Sequence, residues 1–277
     1  MSGPSRTRRP ISADAATLLR IAWQTELAAR VGAQFDDDAL RLATLPTLPV
    51  QAYYAVFNAG RAFTRISGAP RDTHAGLQEA FARAHVRHAP GAFRVTLLGN
   101  PSDVASCELD PKVCEPTVFN PMEADRPAGE YVWASLRIAR RHRLEAARDR
   151  WLGRNRNRKG ARYQRLPAGR WARLAQDERP TTLFDYLYDL RCSTNYRTSD
   201  EYSADVEQRD IRDLHDGLLH LMDMGLLCYE GQMARYAGVD ALRRVHEEWA
   251  GRVRSVGAWA SEAGRDRIDA LESASQA

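Results

Sequence analysis

Lysine is nearly absent from this chain. Lys112 and Lys159 are the only lysines among 40 basic residues, so 38 are arginines. A GC-rich genome produces such a bias as readily as function does, and a net charge of +4 by itself says little about partners. Cysteine is scarce too. Cys107, Cys114, Cys192 and Cys228 are too few for a disulfide framework. Cys107 and Cys114 lack the tight pairing of a zinc site, so they read as free thiols, with no metal and no cofactor expected. No apolar run reaches the length of a membrane span. The basic start MSGPSRTRRPIS is not followed by the apolar core of an export signal, so the expectation is a cytoplasmic protein without a membrane partner. There is no Walker loop, GxGxxG, HExxH or GxSxG, which removes the commonest sequence signatures of nucleotide, metal and serine-nucleophile chemistry. No internal repeat is visible.

What is present is helical periodicity. With 277 residues, 44% of them hydrophobic, the chain can bury a core unaided. Residues 1–10, rich in Arg and Pro, read as a disordered basic tail. Ser12 is placed to cap a helix to about Val31, with Leu18, Leu19, Ala22, Trp23, Leu27 and Val31 on one face. A short helix near Asp37–Ala43 follows, then a clear one over Val50–Ser67 whose inner face carries Tyr53, Val56, Phe57, Gly60 and Thr64. Gly68 and Pro70 stop it, and Asp72 or Thr73 caps the next helix.

Residues 89–127 hold six prolines and read as an insertion, with a short strand conceivable at Phe93–Leu98. Helices are expected at Tyr131–Leu152, Thr182–Arg191, Ala204–Tyr236 and Val239–Ala260, with a frayed tail over 261–277. The expected architecture is an all-α bundle. Helical parts at 11–88 and 128–260 flank a long, mostly irregular insertion that has room for a short strand pair.

Two segments carry a resemblance. Ala52–Phe81 has tandem Tyr53 and Tyr54, then Phe57, Asn58, Gly60 and Arg61, a turn, and Thr73, His74 and Gly76 opening the next helix. Asp189–Tyr202 supplies Arg191, Asn195 and Tyr196 in an Arg-x3-Asn-Tyr arrangement. In this order and helical context the chain resembles the HEPN superfamily over about half its length, and the long insertion is similar to its YaaC-like branch. The resemblance implies a helical fold, a homodimer, metal-independent RNA cleavage through an Arg-x4–6-His motif, and a toxin–antitoxin or phage-defence setting with an antitoxin or defence partner protein.

The chain departs from that motif. Five residues after Arg191 stands Tyr196, whose hydroxyl is a poor base at neutral pH. The resemblance therefore implies a groove lined by Arg191, Asn195 and Tyr196 in which the Arg-x4-Tyr is degenerate. The alternatives are an active ribonuclease using a histidine from elsewhere, and a non-enzymatic dimeric scaffold. Arg83/His88, Arg137/His142 and Arg209/His215 fit the motif spacing, but about three such pairs arise by chance in so arginine-rich a chain.

Charge is not spread evenly. Arg137–Arg173 holds fourteen basic residues and two acids, a charge of +12 that leaves −8 for the remainder. Such a stripe is the footprint of a polyanion partner, with Trp151, Tyr163 and Trp171 available for base stacking. Arg140, Arg141, Arg154, Arg156, Arg158, Lys159, Arg162 and Arg165 are the expected RNA contacts. Asp216, His220 and Asp223 share a helical face and read as a solvated stripe. His74 reads as a turn-stabilising residue, and Arg61 equally as a structural ion pair or a functional cation.

Overall fold

The computed structural model describes residues 9–35, 37–86, 128–157, 159–196 and 208–276. Among them the chain is all-α, with one isolated β-bridge between Arg156 and Arg162. The helices are α1 (Ala13–Gln34), α2 (Asp38–Thr44), α3 (Leu48–Ile66), α4 (His74–Val86), α5 (Ala128–Arg154), α6 (Arg170–Asp177), α7 (Leu183–Tyr196), α8 (Gln208–Ala237), α9 (Val239–Val253) and α10 (Glu262–Gln276). They form two compact units. One comprises Met1–Ala80 and Leu190–Ala277, the other Phe81–Asp189, and the boundary passes through α4 and α7. The expected insertion at 89–127, with its short strand and Cys107 and Cys114, lies outside the described residues.

The first unit is built on α3, which packs against α1 and α8. Two glycines allow the close approach to α8. A Cβ on Gly60 of α3 would lie 2.8 Å from the Tyr229 ring of α8, and one on Gly225 of α8 would lie 2.6 Å from Val56 of α3. Each helix thus receives a bulky side chain of the other where it has none. Two caps hold as read, Ser12 Oγ accepting from Ala15 N–H and Thr73 Oγ1 from Gly76 N–H at the start of α4, while Asp37, expected as the first residue of the short helix, is its N-cap. Arg9 does not hang free, since its backbone N–H donates to Tyr236 O and its guanidinium to Ser67 O.

Three segments differ from expectation. The helix expected to end at Arg191 continues, as α7, to Tyr196. The helix expected to reach Ala260 stops at Val253, where 3-10 turns over Arg254–Val256 and Ala258–Ser261 meet at Gly257, whose φ of +136° excludes a continuous α-helix. The presumed frayed tail is α10. Arg267 anchors it, buried among acids: it donates to both oxygens of Glu26, to both of Glu230 and to Asp223 Oδ1, at 2.7–3.1 Å. Arg30 pairs with Glu26 and Asp223, and Trp23 Nε1–H donates to Glu230 at 2.9 Å. Burial alone would raise the Glu26 carboxyl, but Arg267 and Arg30 more than offset it and hold it ionised.

In the second unit α5 packs on α6, and Phe81 stacks on Phe184 with ring centroids 5.6 Å apart. At the start of α7, Asp185 Oδ2 accepts from Thr182 N–H at 2.8 Å and from the Thr182 hydroxyl at 3.2 Å, and Asp185 N–H donates to the Thr182 carbonyl. Asp185 also accepts from Arg143 and Arg179. These partners outweigh its burial and keep its pKa low, while burial and the Asp185 charge push Asp189 up to about 7.

Candidate functional site

The two segments that carry the family resemblance meet within the first unit. Tyr53 sits on the inner face of α3 with no solvent exposure, and Tyr54 beside it is half-buried. Arg191, at the end of α7, holds its guanidinium 5.6 Å from the Tyr53 ring centroid and 5.3 Å from that of Tyr54. Both distances fall within cation–π range. On the same Tyr53, the hydroxyl lies 2.6 Å from Nδ1 of His74, the first residue of α4. The His74 ring also packs against Phe57, centroids 4.9 Å apart. One buried tyrosine therefore holds an arginine on its face and a histidine at its tip.

The loop that delivers His74 is pinned from α3. Asp72 accepts from Arg61 Nε at 2.9 Å and from Arg65 Nη2 at 3.0 Å, and these two guanidinium bonds hold its carboxyl below the usual range. Arg61 is thus an ion-pairing residue as well as one that leans over the Phe57 ring at 6.0 Å. Asn58 donates to Tyr54 O and accepts from Arg61. The family-like residues Tyr53, Tyr54, Phe57, Asn58, Arg61, His74 and Arg191 form one contiguous cluster.

His74 is half-exposed, so a solute can reach it. Burial first, and then the positive charge of Arg191, lower its pKa from the ordinary histidine value, which keeps the imidazole neutral at pH 7. A neutral imidazole is the form that can take up a proton. Arg191 supplies the cation. Asn195 and Tyr196 occupy the last turn of α7, and their side chains lie outside the described residues. Because this stretch is helical, position 196 is about 140° around the axis from position 191, while position 195 stays near its face. The sequence reading gave His74 only a structural role. Its signal was the Thr73-His74-x-Gly76 helix start, but nothing local reveals that this start folds against the Arg191 segment.

The basic segment divides in two. Arg140 is 3% exposed and donates to the Arg179 and Ala175 carbonyls, the latter at the end of α6, so it belongs to the interior and not to an exposed stripe. Arg143 is committed to Asp185 and Glu178, Arg141 pairs with Glu145, and Arg148 with Asp149. Arg154, Arg156, Lys159, Arg162 and Arg165 are exposed. Arg158 and the side chain of Arg137 lie outside the described residues. Trp151 packs on Tyr163, centroids 5.1 Å apart, and under the Arg170 guanidinium at 5.2 Å, so it is a local anchor for the loop after α5.

Other histidine candidates do not join an arginine in this way. His215 is fully buried and His142 is exposed, while His88 and Arg209 fall among residues whose side chains are not described. On α8, Asp216 and His220 are exposed and Asp223 is engaged by Arg30 and Arg267. Among the described residues no group of acids, histidines or cysteines could hold a metal ion, and no helix is long and apolar enough to cross a membrane. Comparison with family models finds no match, and comparisons with curated proteins and with solved structures find none either.

Proposed function

We propose that this chain is a HEPN-like protein that acts on RNA without a metal, with Arg191 and His74 as its working pair. The observation that carries this reading is the convergence of the two residues on Tyr53. It supplies a histidine near Arg191 in space where the sequence after Arg191 supplies none.

In this reading Arg191 binds the non-bridging oxygens of a phosphodiester and stabilises charge as it builds there. Neutral His74 takes the proton of the attacking ribose 2′-hydroxyl. The new P–O2′ bond forms, the P–O5′ bond breaks, and the departing 5′-oxygen takes a proton from water, leaving a cyclic phosphate. Asn195, one turn beyond Arg191 on α7, belongs to the same reading through the family resemblance. The exposed Arg154, Arg156, Lys159, Arg162 and Arg165 hold the RNA backbone. The homodimer and the toxin–antitoxin or phage-defence setting, with its partner protein, belong to the same reading through the family resemblance.

The second reading is an RNA-associated protein whose Arg-x4-Tyr motif no longer cuts. It is favoured by the Tyr53 hydroxyl, which occupies one of the two His74 nitrogens. Labelled total RNA incubated with the protein, with and without chelator, separates the two. Chelator-resistant cleavage that Arg191→Ala and His74→Ala each abolish is the expected result. Salt-sensitive binding without cleavage would establish the second reading, and absence of both signals would leave the scaffold.

A further inference from the structure

The hairpin of α9 and α10 encloses a groove of about 490 Å³, within the range of small-molecule sites. Its α9 wall is one helical stripe, with Arg243, His246, Glu247, Ala250 and Gly251 at helical spacing, continued by Arg254 at the start of the 3-10 turn that follows. Ser261 and Arg265 face it from the other side. The groove is separate from the Tyr53 cluster, and neither family-like segment contributes to it.

Three features distinguish it from a surface dent. Its cations are unequally engaged. Arg243 is held by Asp269 and Glu272 at 2.8 and 2.6 Å, but Arg254 has no ion-pair or hydrogen-bond partner among the described residues, and Arg265 has only a long 3.4 Å bond to Ser261. His246 forms part of the groove's floor while only 3% exposed, its buried Nε2 packed against Gly264 of α10, where a Cβ would lie 2.7 Å from it. Finally, Ala250 and Gly251 leave the middle of the α9 wall open, and a Cβ on Gly251 would meet nothing within 4 Å.

We infer that this groove binds a phosphorylated small molecule of mononucleotide size, its phosphate between Arg254 and Arg265 and a hydrogen-bond-donating group against Glu247. Glu247 precedes Arg254 by seven positions, about 10 Å along the helix, which is close to the span from a base edge to a 5′-phosphate. Guanidinium forks match phosphate oxygens. The carboxylate of Glu247 accepts paired donors, which guanine presents on its Watson–Crick edge. Burial, with Arg267 nearby, lowers His246 to about 4, so it adds no positive charge to the groove's floor at neutral pH.

The test is calorimetric titration of the full-length protein with guanosine 5′-monophosphate, ribose 5-phosphate and guanosine. Saturable one-to-one binding of the nucleotide, at least tenfold tighter than that of either fragment, is expected. Gly251→Leu should weaken it at least tenfold while leaving the melting temperature unchanged or higher, because leucine fills the groove and favours a helix more than glycine does. The double variant Arg254→Ser/Arg265→Ser should weaken it similarly, and Arg191→Ala should leave it intact. The proposal is overturned if the nucleotide does not bind at millimolar concentration, if Gly251→Leu binds it as well as wild type, if ribose 5-phosphate binds equally, or if Arg191→Ala removes binding.

Discussion

The hydroxyl of Tyr53 lies 2.6 Å from Nδ1 of His74, tying a fully buried residue of α3 to the first residue of α4. Removing that hydroxyl changes the imidazole's partner without emptying the core. Tyr53→Phe should keep the fold and the Arg191 contact, lower RNA cleavage by about 10–100-fold, and move the acidic limb of the pH–rate profile. Rate profiles from pH 5 to 8 for both proteins provide the check. An unchanged profile would mean that His74 does not handle the proton.

The basic segment should split by burial. Reversing Arg154, Arg156, Arg162 and Arg165 to glutamate should weaken RNA binding and flatten its salt dependence by about one unit of slope per lost phosphate contact, with little effect on stability. Arg140→Ala should do the opposite, leaving RNA affinity nearly intact while lowering stability by about 1–3 kcal/mol, since its guanidinium serves the Ala175 and Arg179 carbonyls. Filter binding across a salt series, paired with urea melts, distinguishes the two.

The reciprocal glycines set the spacing of α3 and α8. Gly60→Ala places a methyl 2.8 Å from the Tyr229 ring, and the helices must part to admit it. The expected loss is about 1–3 kcal/mol, despite alanine's better helix propensity. Gly217→Ala on α8, where a Cβ meets nothing, should be neutral or stabilising and serves as the control.

Stability should depend on pH through His246. Its pKa in the fold is about 4, against about 6.5 in the unfolded chain. As pH falls below 6.5 the unfolded chain takes up a proton that the folded one refuses. The histidine's contribution is therefore complete above 6.5 and lost progressively down to 4, about 3 kcal/mol in all. His246→Phe, which retains a ring against Trp23, should lose less stability than wild type between pH 7.5 and 4.5. Parallel loss in both proteins would place the acid sensitivity in the carboxylates alone.

Arg267 is the sharpest stability probe. Arg267→Met strands Glu26 and Glu230 without their main cation and should cost about 3–5 kcal/mol. Adding Glu26→Gln and Glu230→Gln should recover part of that loss, because the two most buried carboxylates are then neutral and Arg30 keeps Asp223 as its partner. Thermal melts of the single and triple variants read the difference.

Helices with a strong apolar stripe and a side-chain cap were legible in the sequence, as Ser12 and Thr73 show. The α10 helix was not. Its segment is polar, and the helix forms because one arginine, Arg267, finds carboxylates supplied from α1 and α8. The break at Gly257 was equally hidden, since glycine also occurs in intact helices of this chain. Of the candidate site, the residues were visible as types and spacings, but their meeting on Tyr53 is a tertiary fact. Periodicity places His74 on a helix start and Arg191 on another helix, and only packing joins them. The basic segment misled in one respect, because composition cannot tell an arginine that caps a neighbouring helix from one that faces water.

The Glu26–Arg267 pair joins positions 241 residues apart. During synthesis, α1 leaves the ribosome carrying Glu26 long before its cation exists, and α8 brings two more acids, Asp223 and Glu230, to the same place. Until Arg267 emerges, closing the first unit would trap surplus negative charge in a dry interior. Without Arg267 the first unit could close only by burying Glu26 and Glu230 as unpaired anions or as protonated acids, so its core reaches full stability only when α10 docks.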